Sequence, residues 1–155
     1  MEMQEYAVRV QAIQNRLYRT AVLYLGPSDA EEALDEAVFR GLKSCKKQRE
    51  PAYFETWMTR ILLNVCCDEH RRRSREQSWE ELPETAAEAY DALPLREAIR
   101  RLPKPLKDLV ILRHFSGYTL REAAEILEIP QGTAATRERR ALQLLRLELG
   151  EEEPT

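Results

Sequence analysis

The sequence predicts an all-α protein made of two small helical domains. Three observations predict it. Leu, Ala, Glu and Arg dominate the 155 residues, which is the composition of helices. Only 5 glycines and 7% aromatics are present, too few for the many turns of a β-sandwich or barrel. Charge also changes sharply along the chain: residues 1–75 carry net +2, residues 76–93 carry −6 with no basic residue, and residues 94–155 carry +1. The middle stretch is punctuated by Pro83 and Pro94 and lacks a convincing apolar period, so it reads as an acidic linker. The domains are then 1–75 and 94–150, with an acidic tail at 151–155.

In the first domain apolar residues recur at Tyr6, Val10, Ile13, Leu17, Ala21 and Leu25, a helical spacing that Gly26-Pro27 ends. Ser28, three residues before Glu31, predicts a capping-box start for a second helix, with Leu34, Ala37, Val38, Gly41 and Leu42 inward. A charged stretch from Lys43 to Glu50 follows and stops at Pro51. A third, long helix starts near Tyr53, buries Phe54, Trp57, Met58, Ile61, Leu62 and Val65, and runs out into Arg71, Arg72, Arg73 and Arg75. In the second domain, Leu95, Ala98, Ile99 and Leu102 predict a short helix ending at Pro103, and Leu106, Leu109, Val110 and Leu112 another ending near Ser116-Gly117. Thr119, three residues before Glu122, is a second capping box. It opens a helix burying Ala123, Ala124 and Leu127, and a last helix runs from about Gln131 to Leu149.

Several function classes drop out. No apolar run approaches the roughly 18 residues needed to cross a bilayer, and the acidic, amphipathic N-terminus is not a secretory signal. Cys45, Cys66 and Cys67 form an odd set without CxxC spacing, which suits a reducing cytoplasm and gives neither a disulfide framework nor a zinc site. His70 and His114 have no Asp, Ser or Cys constellation around them. With no Gly-rich phosphate loop and no paired-carboxylate site, neither an enzyme nor a cofactor or metal is expected.

Two segments point to nucleic acid. Thr119 to Arg140 has helix-turn-helix spacing, with small Ala123 or Ala124 where two helices must approach. Short or polar Gln131, Gly132 and Thr133 open the second helix, and Arg137, Arg139 and Arg140 lie along it. The alternative is a solvated basic face on an ordinary helical hairpin. Glu128 stands where the turn favours Gly, at a cost of about 1 kcal/mol for a left-handed residue, and Glu138 sets a negative charge beside the arginines. In the long helix of the first domain, Asn64 and Asp68 are four apart and share a face with Arg71 one turn on. Amides and carboxylates read base edges and arginines hold phosphates. The loop before it offers Lys46, Lys47 and Arg49 with Tyr53 and Phe54, a mixture that suits unstacked bases. The competing reading makes Phe54 and Trp57 core and the arginines a favourable helix C-terminus.

Together the two halves, over roughly residues 10–148, resemble the extracytoplasmic-function (group 4) RNA polymerase sigma factors of the sigma-70 family, which have regions 2 and 4 only. Region 2 is similar to Asp29–Phe39 followed by Phe54–Arg73. Region 4 is similar to Leu102-Pro103, then Glu122 and Ala124, then Gly132, Thr133, Thr136 and Arg137 with Arg140-Ala141 beyond. The resemblance implies docking of Asp29, Glu31, Glu32, Glu36, Val38 and Phe39 on the clamp helices of the polymerase β′ subunit. It implies −10 promoter recognition and melting by Asn64, Asp68, Arg71, Arg72 and Arg73. It implies −35 recognition by Gln131, Thr133, Thr136, Arg137 and Arg140. The partners implied are core polymerase (β′ and β), promoter DNA and an anti-sigma factor, and the acidic linker would lie in the polymerase channel that later carries RNA. The chain departs from the pattern at Asp35, Val38, Glu128, Ala135 and Glu138, the last standing where an apolar residue is usual. A sigma-like module that titrates an anti-sigma factor without promoter activity is the alternative. A plain helix-turn-helix repressor leaves the first 75 residues unexplained.

Overall fold

The apolar stripe of the first helix, α1 (Met3–Leu25), buries Tyr6, Val10, Leu17, Ala21 and Tyr24. Those residues recur at three, four and seven positions, so one face of α1 meets two further helices, α2 (Pro27–Ser44) and α3 (Phe54–Glu76). The computed structural model describes residues 1–48, 50–76 and 93–150, excepting the side chains of 73–76 and 93. The chain divides into two compact units, Met1–Ser78 and Trp79–Thr155. The expected linker and the tail 151–155 lie outside the described residues, save Glu76, which ends α3, and Leu93, which begins the next helix. Among the described residues there is no strand.

In the first unit α1 ends at Gly26, whose φ of 84 is open to glycine and strained for a residue with a Cβ. The Ser28–Glu31 capping box does not form. Pro27 takes the first helical position, where its missing N–H costs nothing and its fixed φ suits the helix, so α2 starts ahead of Ser28 and the Ala30 N–H donates to the Gly26 carbonyl at 3.1 Å. After α2, short 3₁₀ turns at Cys45–Lys47 and Pro51–Tyr53 lead into α3. Phe54 is buried and Trp57 half-buried, and with Tyr6 they form a ring cluster, Tyr6 meeting them edge-on at 6.0 and 6.4 Å. These two aromatics are therefore core-forming. Ile61 is only half-buried, while Leu63 and Cys66 join Met58, Leu62 and Val65 inside.

A close approach locks α1 to α2. The Tyr6 hydroxyl donates to the Val38 carbonyl at 2.6 Å and lies directly over the Cα of Gly41, where an added Cβ would overlap Tyr6 Oη and crowd Met58 Sδ at 3.2 Å. Burial, with a smaller contribution from nearby Cys45, pushes the Tyr6 phenol up to about 12.

The second unit contains α4 (Leu93–Arg101), α5 (Lys104–Val110), a π-helical turn at Ile111–Phe115, α6 (Leu120–Leu127) and α7 (Gln131–Glu148). Leu109, Ile111 and Leu112 are fully buried at its centre. Buried Asp108 is paired with Lys104 at 2.8 Å. The Thr119 capping box does form: the Glu122 N–H donates to Thr119 Oγ1 at 3.1 Å, and the Thr119 N–H to Glu122 Oε1 at 2.9 Å. Ala123, Ala124 and Ile126 are buried, and Leu127 only half so, because the helix phase turns Ile126 inward. Glu128 ends α6 at φ 58, ψ 45, the left-handed conformation expected for glycine there. The Ile129 N–H then closes back on the Ala124 carbonyl at 3.0 Å, and Pro130 leads into α7.

Candidate nucleic-acid interface

In α7 the inward stripe is Ala134, Glu138, Ala141 and Leu145, at i, i+4, i+7 and i+11. Alanine at two of these positions lets the helix lie close against its unit. The opposite side exposes Gly132, Thr136, Arg139 and Arg140, Gln131 is exposed at the start of the helix, and Thr133 and Arg137 are partly exposed at the edges. The residues expected to read DNA thus lie together along one helix. The Thr136 hydroxyl donates to the Gly132 carbonyl at 3.1 Å, which fixes its rotamer and leaves its oxygen to accept.

Glu138 differs from its expected place. Its carboxylate faces inward, where Oε2 pairs with Arg113 Nε at 3.0 Å and Oε1 lies 3.9 Å from His114 Nε2. Its side chain is only 18% exposed. It therefore does not stand among the outward arginines and does not offset their pull on phosphate. Among the described residues no ion pair engages Arg137, Arg139 or Arg140, so α7 presents three uncompensated cations to solvent.

In the first unit Asn64, Asp68, Arg71 and Arg72 are exposed on α3, Arg72 paired with Glu69 at 2.9 Å. The side chain of Arg73 lies outside the described ones. Asp68 Oδ2 accepts from Arg40 at 3.1 Å, and the same guanidinium holds Glu36 at 3.0 Å. Hydrogen bonding to Glu36 first, and to Asp68 after it, raises Arg40 further above its usual value against the opposing effect of burial. Sequence reasoning missed this cross-helix bridge, although the i, i+4 spacing of Glu36 and Arg40 signalled its first half.

Glu32, Asp35, Glu36, Asp68 and Glu69 line an open groove between α2 and α3, with Arg40 among them. Of the residues expected to meet the polymerase, Glu31, Glu32 and Glu36 are exposed, Asp29 is partly exposed, and Val38 is half-buried with its carbonyl held by Tyr6. Phe39 is 53% exposed, and the Lys43 ammonium sits 4.4 Å from its ring centre. The α2 surface therefore combines acids with one large exposed ring. Cys45 and Cys66 are buried and Cys67 is partly exposed, all as free thiols. Among the described residues no group of His, Cys, Asp and Glu has a metal-holding arrangement, and no helix is long and apolar enough to cross a membrane.

Comparison with known proteins matches these two units to two family models: sigma-70 region 2 over residues 9–76, and sigma-70 region 4 over residues 92–145. The chain is 31% identical over 142 residues to the RNA polymerase sigma factor SigV of Bacillus subtilis, covering 88% of this chain and 86% of that protein. It is 28% identical over 141 residues to the ECF RNA polymerase sigma factor SigM of Mycobacterium tuberculosis, covering 87% and 72%. The fold is shared with the sigma factor RpoE of Bartonella quintana, solved in complex with the anti-sigma factor NepR. The TM-score is 0.78 at 19% identity, over 96% of this chain and 98% of that one. The chain belongs to the RNA polymerase sigma factors, in the extracytoplasmic-function group built from regions 2 and 4.

Proposed function

We propose that α7 reads the −35 promoter element through Gln131, Thr133, Thr136, Arg137 and Arg140, and that α3 engages the −10 element through Asn64, Asp68, Arg71, Arg72 and Arg73. As a sigma factor the protein binds core RNA polymerase and directs promoter recognition and transcription initiation. The acids Asp29, Glu31, Glu32 and Glu36, with Val38 and Phe39, form the docking surface for the polymerase β′ clamp helices, and region 4 meets the β subunit. The boundaries are 1–75 for region 2, 76–93 for the linker, 94–150 for region 4 and 151–155 for a tail. The linker, by its charge of −6, suits the basic channel that later carries RNA. The protein performs no chemistry of its own, needs no cofactor, and works in the cytoplasm beside the polymerase. An anti-sigma factor is its regulatory partner, a reading supported by the similarly folded RpoE, whose structure is a complex with one.

The observation that carries this reading is the outward face of α7, three arginines without ion pairs beside short polar residues, while the acidic residue among them turns inward. A helix so arranged suits a major groove, with cations for phosphates and guanine edges and hydroxyls for the rest. An acid at Glu138 would favour a promoter-inactive module if it opposed those arginines, but its carboxylate pairs with Arg113 instead. The test is run-off transcription with purified core polymerase. Core-dependent initiation at a defined promoter supports the reading, and its absence overturns it. Arg137→Ala is expected to lose about 1–3 kcal/mol of −35 discrimination. Unchanged promoter selection would remove Arg137 from the reading face.

A further inference from the structure

We infer that Glu138 is a positioning residue for the −35-reading face: with Arg113 it clamps α7 to the wide turn between α5 and α6 and so sets the angle at which Thr136 and Arg137 are presented. The inference rests on the reading of α7 given above. It goes beyond that reading by assigning promoter discrimination to two residues that do not face the DNA.

Three observations carry it. Glu138 occupies the inward stripe of α7 between Ala134 and Ala141, where the flanking methyl groups leave room for a longer side chain. Arg113 reaches two elements at once, giving Nε to Glu138 Oε2 at 3.0 Å and Nη1 to the Tyr118 carbonyl at 3.3 Å. Arg113 itself sits in the π-helical turn Ile111–Phe115, whose end is tied by the Ser116 N–H to the Ile111 carbonyl at 2.8 Å and by the Tyr118 N–H to the Leu112 carbonyl at 2.9 Å. The recognition helix, the π turn and the entry to α6 therefore share one guanidinium. Glu138 is directly followed by Arg139 and Arg140 and preceded by Thr136 and Arg137. A rotation of α7 about its axis would move all of them relative to a groove.

The charged groups also separate this role from a DNA-facing one. An acid exposed to phosphate would weaken binding to every sequence alike and flatten the salt dependence. An inward acid holding an arginine would leave general affinity in place and act on discrimination.

The experiment loads core polymerase with the full chain and selects from a duplex pool randomised at the −35 element beside a fixed −10 element. The variants Glu138→Gln, Glu138→Leu and Arg113→Met are compared by the enrichment of the preferred sequence over its single mismatches. Each variant is expected to cut that ratio about tenfold, within the range that one mismatched base pair costs. The double variant Glu138→Gln with Arg113→Met is expected to lose no more than either alone, since both break one clamp. Exchange of the two charges, Arg113→Glu with Glu138→Arg, is expected to restore part of the ratio. Affinity for core polymerase and preference at the −10 element stay as in the parent chain. Glu138→Leu restores the apolar stripe, so a loss there is not a loss of fold. Uniformly tighter capture of all −35 sequences by Glu138→Gln, with a steeper salt dependence, would overturn the inference, as would an unchanged ratio. A parent chain that enriches no −35 sequence overturns the underlying reading of α7. An enriched sequence indifferent to Glu138 overturns this inference alone.

Discussion

Replacing Glu128 by glycine should stabilise the second unit. Glu128 holds φ 58, ψ 45, beside the ideal left-handed values of about +57° and +47°, so it carries the full penalty of a Cβ in that region. That penalty is about 1–2 kcal/mol for an L-residue. Glycine's freer unfolded chain offsets about 0.5–1 kcal/mol. The net is a gain of about 1 kcal/mol, equivalent to roughly a fivefold shift in the opening equilibrium and a Tm rise of about 4–8 °C for a domain of this size. Hydrogen exchange read by peptide separates the contributions. Protection in α5, α6 and α7 is expected to rise about fivefold, while peptides of α1, α2 and α3 in the same chain serve as the unmoved control. Glu128→Gln keeps the Cβ, so it leaves the backbone strain in place and should recover little of the gain. Glu128→Asn, tolerant of this conformation, should fall between. A glycine variant no more protected than the parent, or a glutamine variant equal to glycine, would refute the strain account.

Two further outcomes test the first unit. Gly41→Ala is expected to cost about 1–2 kcal/mol, the overlap with Tyr6 Oη exceeding the roughly 1 kcal/mol of helix propensity that alanine adds; in a Tyr6→Phe background the Oη overlap is gone and only the 3.2 Å crowding by the ring carbon and by Met58 Sδ remains, so the same change should cost less, as measured by denaturant unfolding. Alkali should weaken this unit through Tyr6. The folded phenol at about 12 lies above its ordinary 10.0, so its contribution is complete below pH 10 and is lost as pH rises towards 12, a loss that Tyr6→Phe should abolish in phenolate absorbance and unfolding titrations.

Much of this fold was legible because its signals are local. Gly26-Pro27 marks a helix boundary through backbone chemistry alone, and Thr119 with Glu122 caps α6 through groups three residues apart. Even the left-handed Glu128 was readable, since a turn of that shape demands the conformation whatever residue fills it. Ser28 misled because two start signals competed, and the rigid proline ahead of it prevailed. The candidate site was legible only as a set of positions along α3 and α7, whose faces helical period alone assigns. Its pairings were not. Arg113 and Glu138 are 25 residues apart, and Arg40 and Asp68 are 28 apart. Such partners meet only when the phases of two packed helices are fixed together, and no spacing rule within one helix predicts that. Read along the sequence, Glu138 stands beside the arginines as one more charge, and its place in the Ala134–Ala141 stripe turns it inward.

One guanidinium, that of Arg40, is shared by an acid of the α2 surface and an acid of the α3 surface. Sharing makes the two surfaces thermodynamically linked. A partner whose own cation captures Glu36 frees Arg40 to hold Asp68 more tightly, and a ligand that engages Asp68 returns Arg40 to Glu36. Each effect must equal the other, because linkage between two binding events is reciprocal. Its size is bounded by exposure: all three side chains are more than a third exposed, and such surface pairs contribute about 1 kcal/mol at most. Occupancy of one surface can therefore alter affinity at the other by no more than about fivefold through this bridge. Arg40 is a tuner between two contacts and not a switch, and any all-or-none control of this protein has to act elsewhere in the chain.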